Sequence, residues 1–288
     1  VVTLSGLAGG MEERLAAWLT GAEPSDSELL PGRLDTYAGF LLFAAALTLP
    51  TYLVSRTLHR HPPGHLLGLS PHFDWGLCFR AAGAFLVAFA AGLAVTALTE
   101  PETLAWETGL VQRLPWILLA LPVILFQSFA EDYVFKGYLL RTFGAVLPYT
   151  WIVVPAIAVI FTAGHAINAD VASDLRFNLV AFFAGEIVLM AAALKAGNLG
   201  AATGLHWMNN VWSMCLVASK PGQSSALSIA SYTDPTIVAG GSHFADPIAW
   251  LEIIALYGLL WFLLTWPRSP FSIVRPFPIV REGAADSR

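Results

Sequence analysis

Seven polar side chains able to do chemistry sit inside apolar stretches of this sequence: Glu131, Asp132, Lys136, His165, Glu186, His206 and Asn210. Such groups are costly in hydrocarbon and face a bundle interior or a water-filled cavity. A carboxylate and an imidazole together can hold a water and take its proton. Imidazole and amide N–H groups suit the negative oxygen of a tetrahedral intermediate. Glu131 and His165 are therefore the candidate water-activating residues, and His206 and Asn210 the candidate oxyanion donors. Hydrolysis at a site built from several helices is the chemistry this set would support.

Helical spacing sorts the set into partners. Asp132 and Lys136 are four apart and share a face, so they can pair as an ion bridge. Glu131 points about 100° away from Asp132 and is free to serve another site. His206 and Asn210 are four apart and project together, and Phe161 sits one turn before His165. At about 1.5 Å of rise per residue, Glu131 lies about 20 Å above Gly144 and His165 about 22 Å above Thr150. His206 and Asn210 lie about 12 and 18 Å above Asn198. Groups from three helices thus reach similar depths. Glu186 lies about 13 Å above Lys195, near the depth of Lys136, and a Glu186–Lys136 contact is expected.

The same residues admit other readings. Two histidines and an acid could ligate zinc, although the compact H-E-x-x-H spacing is missing. The hydrolytic reading requires no cofactor, and no metal site is assigned. A membrane-buried Glu and His could also relay protons in a transporter, but no internal repeat is visible. Asp132, Lys136 and Glu186 read best as an ion-pair network tying helices together.

The elements that must position these residues follow from composition. The chain has 288 residues, 56% of them hydrophobic and only 12% charged, with a net charge of -5 and a mean hydropathy of +0.65. A soluble domain carries about 25% charged residues. These values exclude a soluble globular enzyme, a disordered chain and a nucleic-acid binder of the basic-patch type. The expected fold is an all-α, polytopic helical bundle of seven to eight transmembrane helices, with the lipid bilayer as solvent. Spanning segments of about 20 apolar residues are expected near 37–54, 76–99, 114–143, 150–168, 178–195, 198–217 and 248–266. Residues 1–36 read as an acidic, surface-lying tail, 37–266 as the membrane bundle and 267–288 as a basic tail. Gly197-Asn198 fits a helix stop, and the Ser-, Gly- and Pro-rich stretch 218–247 reads as the longest loop.

Lys and Arg cluster on one side of this topology: Arg56, Arg60, Arg80, Lys136, Arg141, Lys195 and Arg268 fall together, as do Arg275, Arg281 and Arg288. That side is expected to be cytoplasmic, with the N-terminus outside and the C-terminus inside. Arginine far outnumbers lysine, and Ala, Gly and Leu dominate, as in GC-rich bacterial genomes. A bacterial cytoplasmic membrane is the expected location. Cys78 and Cys215 lie in apolar stretches and read as small core residues.

Three motifs then carry a resemblance. Glu131-Asp132-Tyr133-Val134-Phe135-Lys136-Gly137 looks like an E-E-x-x-x-R motif with its following glycine. Phe161-Thr162-Ala163-Gly164-His165 matches F-x-x-x-H. Gly197-Asn198-Leu199 leads to His206-Trp207-Met208-Asn209-Asn210, which matches H-x-x-x-N. In this order and spacing, over about 76–217, the chain resembles the CPBP family of CAAX-protease and bacteriocin-processing (Abi-type) membrane proteins. The resemblance implies a helical bundle with an intramembrane proteolytic site open toward the cytoplasm. Carried over by position, it implies that Glu131 and His165 activate water and that His206 and Asn210 form the oxyanion site. Eukaryotic members remove the last three residues of prenylated proteins; bacterial relatives include bacteriocin-maturation and self-immunity proteins. The implied partner is a peptide or protein substrate.

This sequence departs from the motif at Asp132 and Lys136, where the family has Glu and Arg. Charge sign is kept, but Asp is one methylene shorter and Lys lacks the bidentate fork. That leaves a second reading: a catalytically degenerate subunit that keeps the bundle and scaffolds partner subunits in a larger membrane complex.

Overall fold

The computed structural model describes residues 31–147, 149–166, 168–220 and 227–274. The acidic tail expected over 1–36 falls outside these up to residue 30, as does the basic tail beyond 274. The fold is mostly helical, as expected. α1 runs Pro31–Leu53, and Pro31 suits a first helical position, where its missing N–H costs nothing. α2 runs Trp75–Thr99, and the Asp74 side chain caps it by accepting from the Leu77 N–H at 2.9 Å. α3 spans Leu110–Val146, interrupted by a π-helical stretch at Tyr133–Leu139. Its 37 residues are about 55 Å long, well beyond a hydrocarbon core of about 30 Å, so it must tilt or project. α4 is Thr150–His165, α5 Leu175–Ala196, α6 Leu199–Val211 and α7 Pro247–Thr265.

Among the described residues five helices are long and apolar enough to cross a membrane: Tyr37–Leu58, which takes in most of α1, together with α2, α3, α5 and α7. The expected seven to eight included two segments that prove shorter. α4 has only 16 residues. The segment 198–217 is split into α6, a π turn at Trp212–Leu216 and the start of a strand. α6 is enclosed rather than lipid-facing, since every residue from Leu199 to His206 is buried.

Small residues make that enclosure possible. A Cβ on Gly204 would collide with the Cys78 carbonyl, and one on Gly200 with the Asp74 carbonyl. This glycine pair, four apart, lets the α6 backbone rest directly on α2. Alanines extend the contact: Ala81, Ala84 and Ala88 of α2, Ala192 and Ala196 of α5 and Ala201 of α6 share one core with Leu205, Leu260 and Leu264. The α5–α6 turn is pinned at the same end. Gly197 ends α5 at φ 65°, the left-handed conformation that glycine adopts without penalty. The buried Asn198 caps α6 through the Gly200 N–H, accepts from the Asp74 N–H at 3.1 Å and donates to the His72 carbonyl at 2.9 Å.

The stretch 218–247 is less irregular than its composition suggests. Three short strands form a sheet in the order β1-β3-β2: β1 Leu104–Trp106, β2 Val217–Lys220 and β3 Ala230–Thr233. β3 pairs antiparallel with β1 and parallel with β2. Strands this short leave no alternation to read. Beyond α7 the chain folds back on the bundle: Ile273 is fully buried and its N–H donates to the Leu264 carbonyl at 2.9 Å.

The α2–α6 contact yields a stability prediction. Gly204→Ala places a methyl against backbone that cannot rotate away, and should cost about 1–3 kcal/mol. Gly144→Ala, with nothing within 4 Å of the added atom, should change stability by no more than about 0.5 kcal/mol. Unfolding of the detergent-solubilised protein compares the two.

Candidate active site

α3 brings four polar side chains to the bundle interior on two successive turns: Gln127, Ser128, Glu131 and Asp132, all buried. The π stretch then follows and carries Lys136, also buried. π turns of this kind recur at functional sites. α6 supplies Thr203, His206 and Asn210, α5 supplies Glu186, and α4 supplies Phe161 and His165. Trp207 of α6 fixes the α3–α6 distance by donating its indole N–H to the Leu121 carbonyl at 2.9 Å.

His206 stands at the centre. Its Nδ1 lies 3.1 Å from Asp132 Oδ1 and its Nε2 lies 3.4 Å from Glu131 Oε2. Sequence spacing turned Glu131 and Asp132 to different partners, but one imidazole meets both, a ring nitrogen for each. With Nδ1–H donating to Asp132, the ring's other edge is held toward Glu131. Lys136 Nζ sits 2.8 Å from Asp132 Oδ1 and 2.8 Å from Glu186 Oε1, with no side-chain exposure on any of the three. Both ion contacts expected at this depth are therefore present. The Phe161 ring lies under the same ammonium, 5.0 Å from ring centre to Nζ.

Asn210 reaches Glu131 indirectly. Its Nδ2 donates to Gln127 Oε1 at 3.0 Å and to Ser128 Oγ at 3.3 Å, while Gln127 Nε2 donates to Glu131 Oε1 at 2.6 Å. Neither Gln127 nor Ser128 was singled out from the sequence. The signal was there, because Gln127 stands one turn before Glu131 on the same face, in an otherwise apolar run.

His165 is half-buried at the end of α4. Its Nδ1 donates to the Phe161 carbonyl at 2.8 Å, so that in the neutral tautomer Nε2 is the acceptor nitrogen. The ring packs on Phe161 at 4.3 Å and on Phe182 at 5.4 Å, and Phe161 in turn lies 5.9 Å from the His206 ring. One phenyl ring thus has the two histidines as neighbours. Arg141 is engaged elsewhere, donating to the Gly68 carbonyl at 3.0 Å.

Several buried oxygens here have no hydrogen-bond partner among the described residues: Glu131 Oε2, Asp132 Oδ2, Thr162 Oγ1 and Thr203 Oγ1. Such atoms mark strain, chemistry or a place for water. Among the described residues no group of three or more His, Cys, Asp or Glu side chains is arranged to hold a metal ion.

The buried ion network makes its own prediction. Lys136→Met leaves two carboxylates facing each other without a cation and should cost about 3–5 kcal/mol. Adding Asp132→Asn and Glu186→Gln should recover most of that loss. Denaturant titration of the three purified forms reads the difference.

Comparison with known proteins adds one match. Residues 113–212 fit the family model described as type II CAAX prenyl endopeptidase Rce1-like. No curated protein and no solved structure matches the chain. The matched segment contains Gln127, Glu131, Asp132, Lys136, His165, Glu186, His206 and Asn210, and so covers the whole polar cluster. Across residues 113–212, this apolar helical chain is thus similar to the Rce1-like family of type II CAAX prenyl endopeptidases.

Proposed function

We propose that this protein is an intramembrane endopeptidase that hydrolyses a membrane-proximal peptide bond with a water activated at Glu131 and His165. The observation that carries the reading is the buried Glu131 carboxylate. One of its oxygens is engaged by Gln127, and the other is buried without a hydrogen-bond partner and faces an imidazole. A carboxylate kept in that way inside an apolar bundle has the form of a general base. The similarity to the Rce1-like family supports the same reaction class.

The steps follow from these groups. Glu131 takes a proton from water while His165, through its acceptor nitrogen, orients the same water. The oxygen attacks the substrate carbonyl carbon, and a C–O bond forms. His206, protonated on both nitrogens with its Nδ1–H held by Asp132, donates from Nε2 to the oxyanion. Asn210 donates the N–H it turns away from Ser128 while keeping its bond to Gln127. Fixed N–H groups in a low-dielectric site are most effective there. The C–N bond then breaks, and the proton held on Glu131 passes to the departing amine. The Asp132–Lys136 ion pair supports the site by holding the His206 ring. In this reading the chain spans the membrane with its N-terminus outside and its C-terminus in the cytoplasm, as the Lys/Arg distribution favours, and the substrate is a peptide that enters from the lipid–water boundary.

Cleavage of a membrane-anchored peptide library by the purified protein tests the proposal. Glu131→Gln and His165→Ala should each lower kcat by about 10²–10⁴-fold. Asn210→Ala should lower it by about 10²–10³-fold. Full activity in Glu131→Gln would sink the hydrolase. A stoichiometric partner that survives detergent, with no peptide cleaved, would replace it with the noncatalytic-subunit reading.

A further inference from the structure

The amide of Gln127 is held from both ends. Its Nε2 donates to Glu131 Oε1 at 2.6 Å, and its Oε1 accepts from Asn210 Nδ2 at 3.0 Å. The Ser128 hydroxyl stands 3.4 Å from the same Gln127 oxygen. Turning the amide over would set its NH₂ against the NH₂ of Asn210 and its oxygen against a carboxylate. The network therefore dictates the orientation. At 7% exposure no bulk water competes for these bonds.

The two oxygens of Glu131 are made unequal as a result. Oε1 already receives an N–H, which draws charge toward it and makes it the less basic of the two oxygens. Oε2 has no such donor and lies 3.4 Å from His206 Nε2. The groups around this carboxylate are Gln127 on its own helix and His206 on α6, with Asp132, Lys136 and Glu186 behind the imidazole and, in the hydrolase reading, His165 of α4 across the water.

We propose that Gln127 is a positioning residue that reserves Oε2 of Glu131 for the reacting water and aligns the Asn210 amide with the same site. The inference rests on the hydrolase reading above. The water O–H bond breaks with its proton going to Oε2, and the hydroxyl oxygen bonds the carbonyl carbon. When the C–N bond breaks, the Oε2 proton goes to the amine, and the carboxylate ends as it began. Through one amide, the base and an oxyanion donor are placed by the same side chain.

Gln127→Leu fills the same space without the bonds. It should lower kcat about 10²-fold with KM unchanged to within about twofold, because the lost contacts act in the transition state. Without the N–H donor the Glu131 carboxylate is less favoured, so the acidic limb of the pH–kcat profile should move to higher pH. Gln127→Glu, nearly isosteric, should move that limb further, since two adjacent carboxyls share a proton. The Gln127→Leu/Asn210→Ala double variant should lose less than the product of the single losses.

A substrate-free arm separates this inference from the reaction itself. The infrared carboxylate band of Glu131, identified by its loss in Glu131→Gln, should shift in Gln127→Leu. An unshifted band, or an unchanged acidic limb and kcat in folded Gln127→Leu and Gln127→Glu while Glu131→Gln is inactive, overturns the positioning role and leaves the hydrolase standing. A shifted band with an active Glu131→Gln overturns the hydrolase and, with it, any catalytic role for Gln127.

Discussion

One ammonium holds the interior of this bundle together. Lys136 is fully enclosed between Asp132 on its own helix and Glu186 on α5. Burying an ion carries a desolvation penalty of several kcal/mol, offset only by close partners of opposite charge. The arrangement is therefore weak evidence for stability but strong evidence for geometry, because no partner can move without stranding the others. Asp132 is fixed by Lys136, and His206 is oriented by Asp132. The far edge of that imidazole is then presented to Glu131. Asp132 and Lys136, which stand where the motif the chain resembles has Glu and Arg, meet at 2.8 Å, so the shorter acid and the unforked cation make the contact.

Polar groups at this depth need an interior to face, and α6 supplies it. The helix is short and buried on every side through its first two turns, which only small residues allow. Gly200 and Gly204 bring it onto α2, Asn198 ties its start to the segment before α2, and Trp207 bonds α3. Its remaining face carries Thr203, His206 and Asn210 toward α3. Close backbone packing on one side of α6 thus creates the polar seam on the other. In lipid, where no hydrophobic force drives helices together, such packing and interhelical hydrogen bonds carry the association.

Much of this was legible from residue type and spacing. Buried Glu, Asp, Lys and His in apolar runs announced a bundle with a polar centre, since hydrocarbon tolerates them in few other places. The four-residue spacing of Asp132 and Lys136 announced their pairing, and depth counting brought Glu186 to Lys136. Gln127 escaped notice because a neutral amide is a weaker signal than a charge, although it bonds the central carboxylate most closely. The short strands escaped because three or four residues hold no period. At 198–217 hydropathy does not distinguish a lipid-facing helix from one wrapped by its neighbours, and the helix there is the enclosed kind.

The amino-acid sequence by itself determined the solvent, the helical class and the chemical types available to the site, because hydropathy and side-chain chemistry are local properties. Only the tertiary structure decided which groups meet. It gave a single imidazole to both Glu131 and Asp132, left one oxygen of Glu131 without a donor, and set His165 behind a phenyl ring beside His206. Those outcomes depend on rotation and close approach between helices far apart in the chain, which backbone contacts at glycine set and no spacing along one helix encodes.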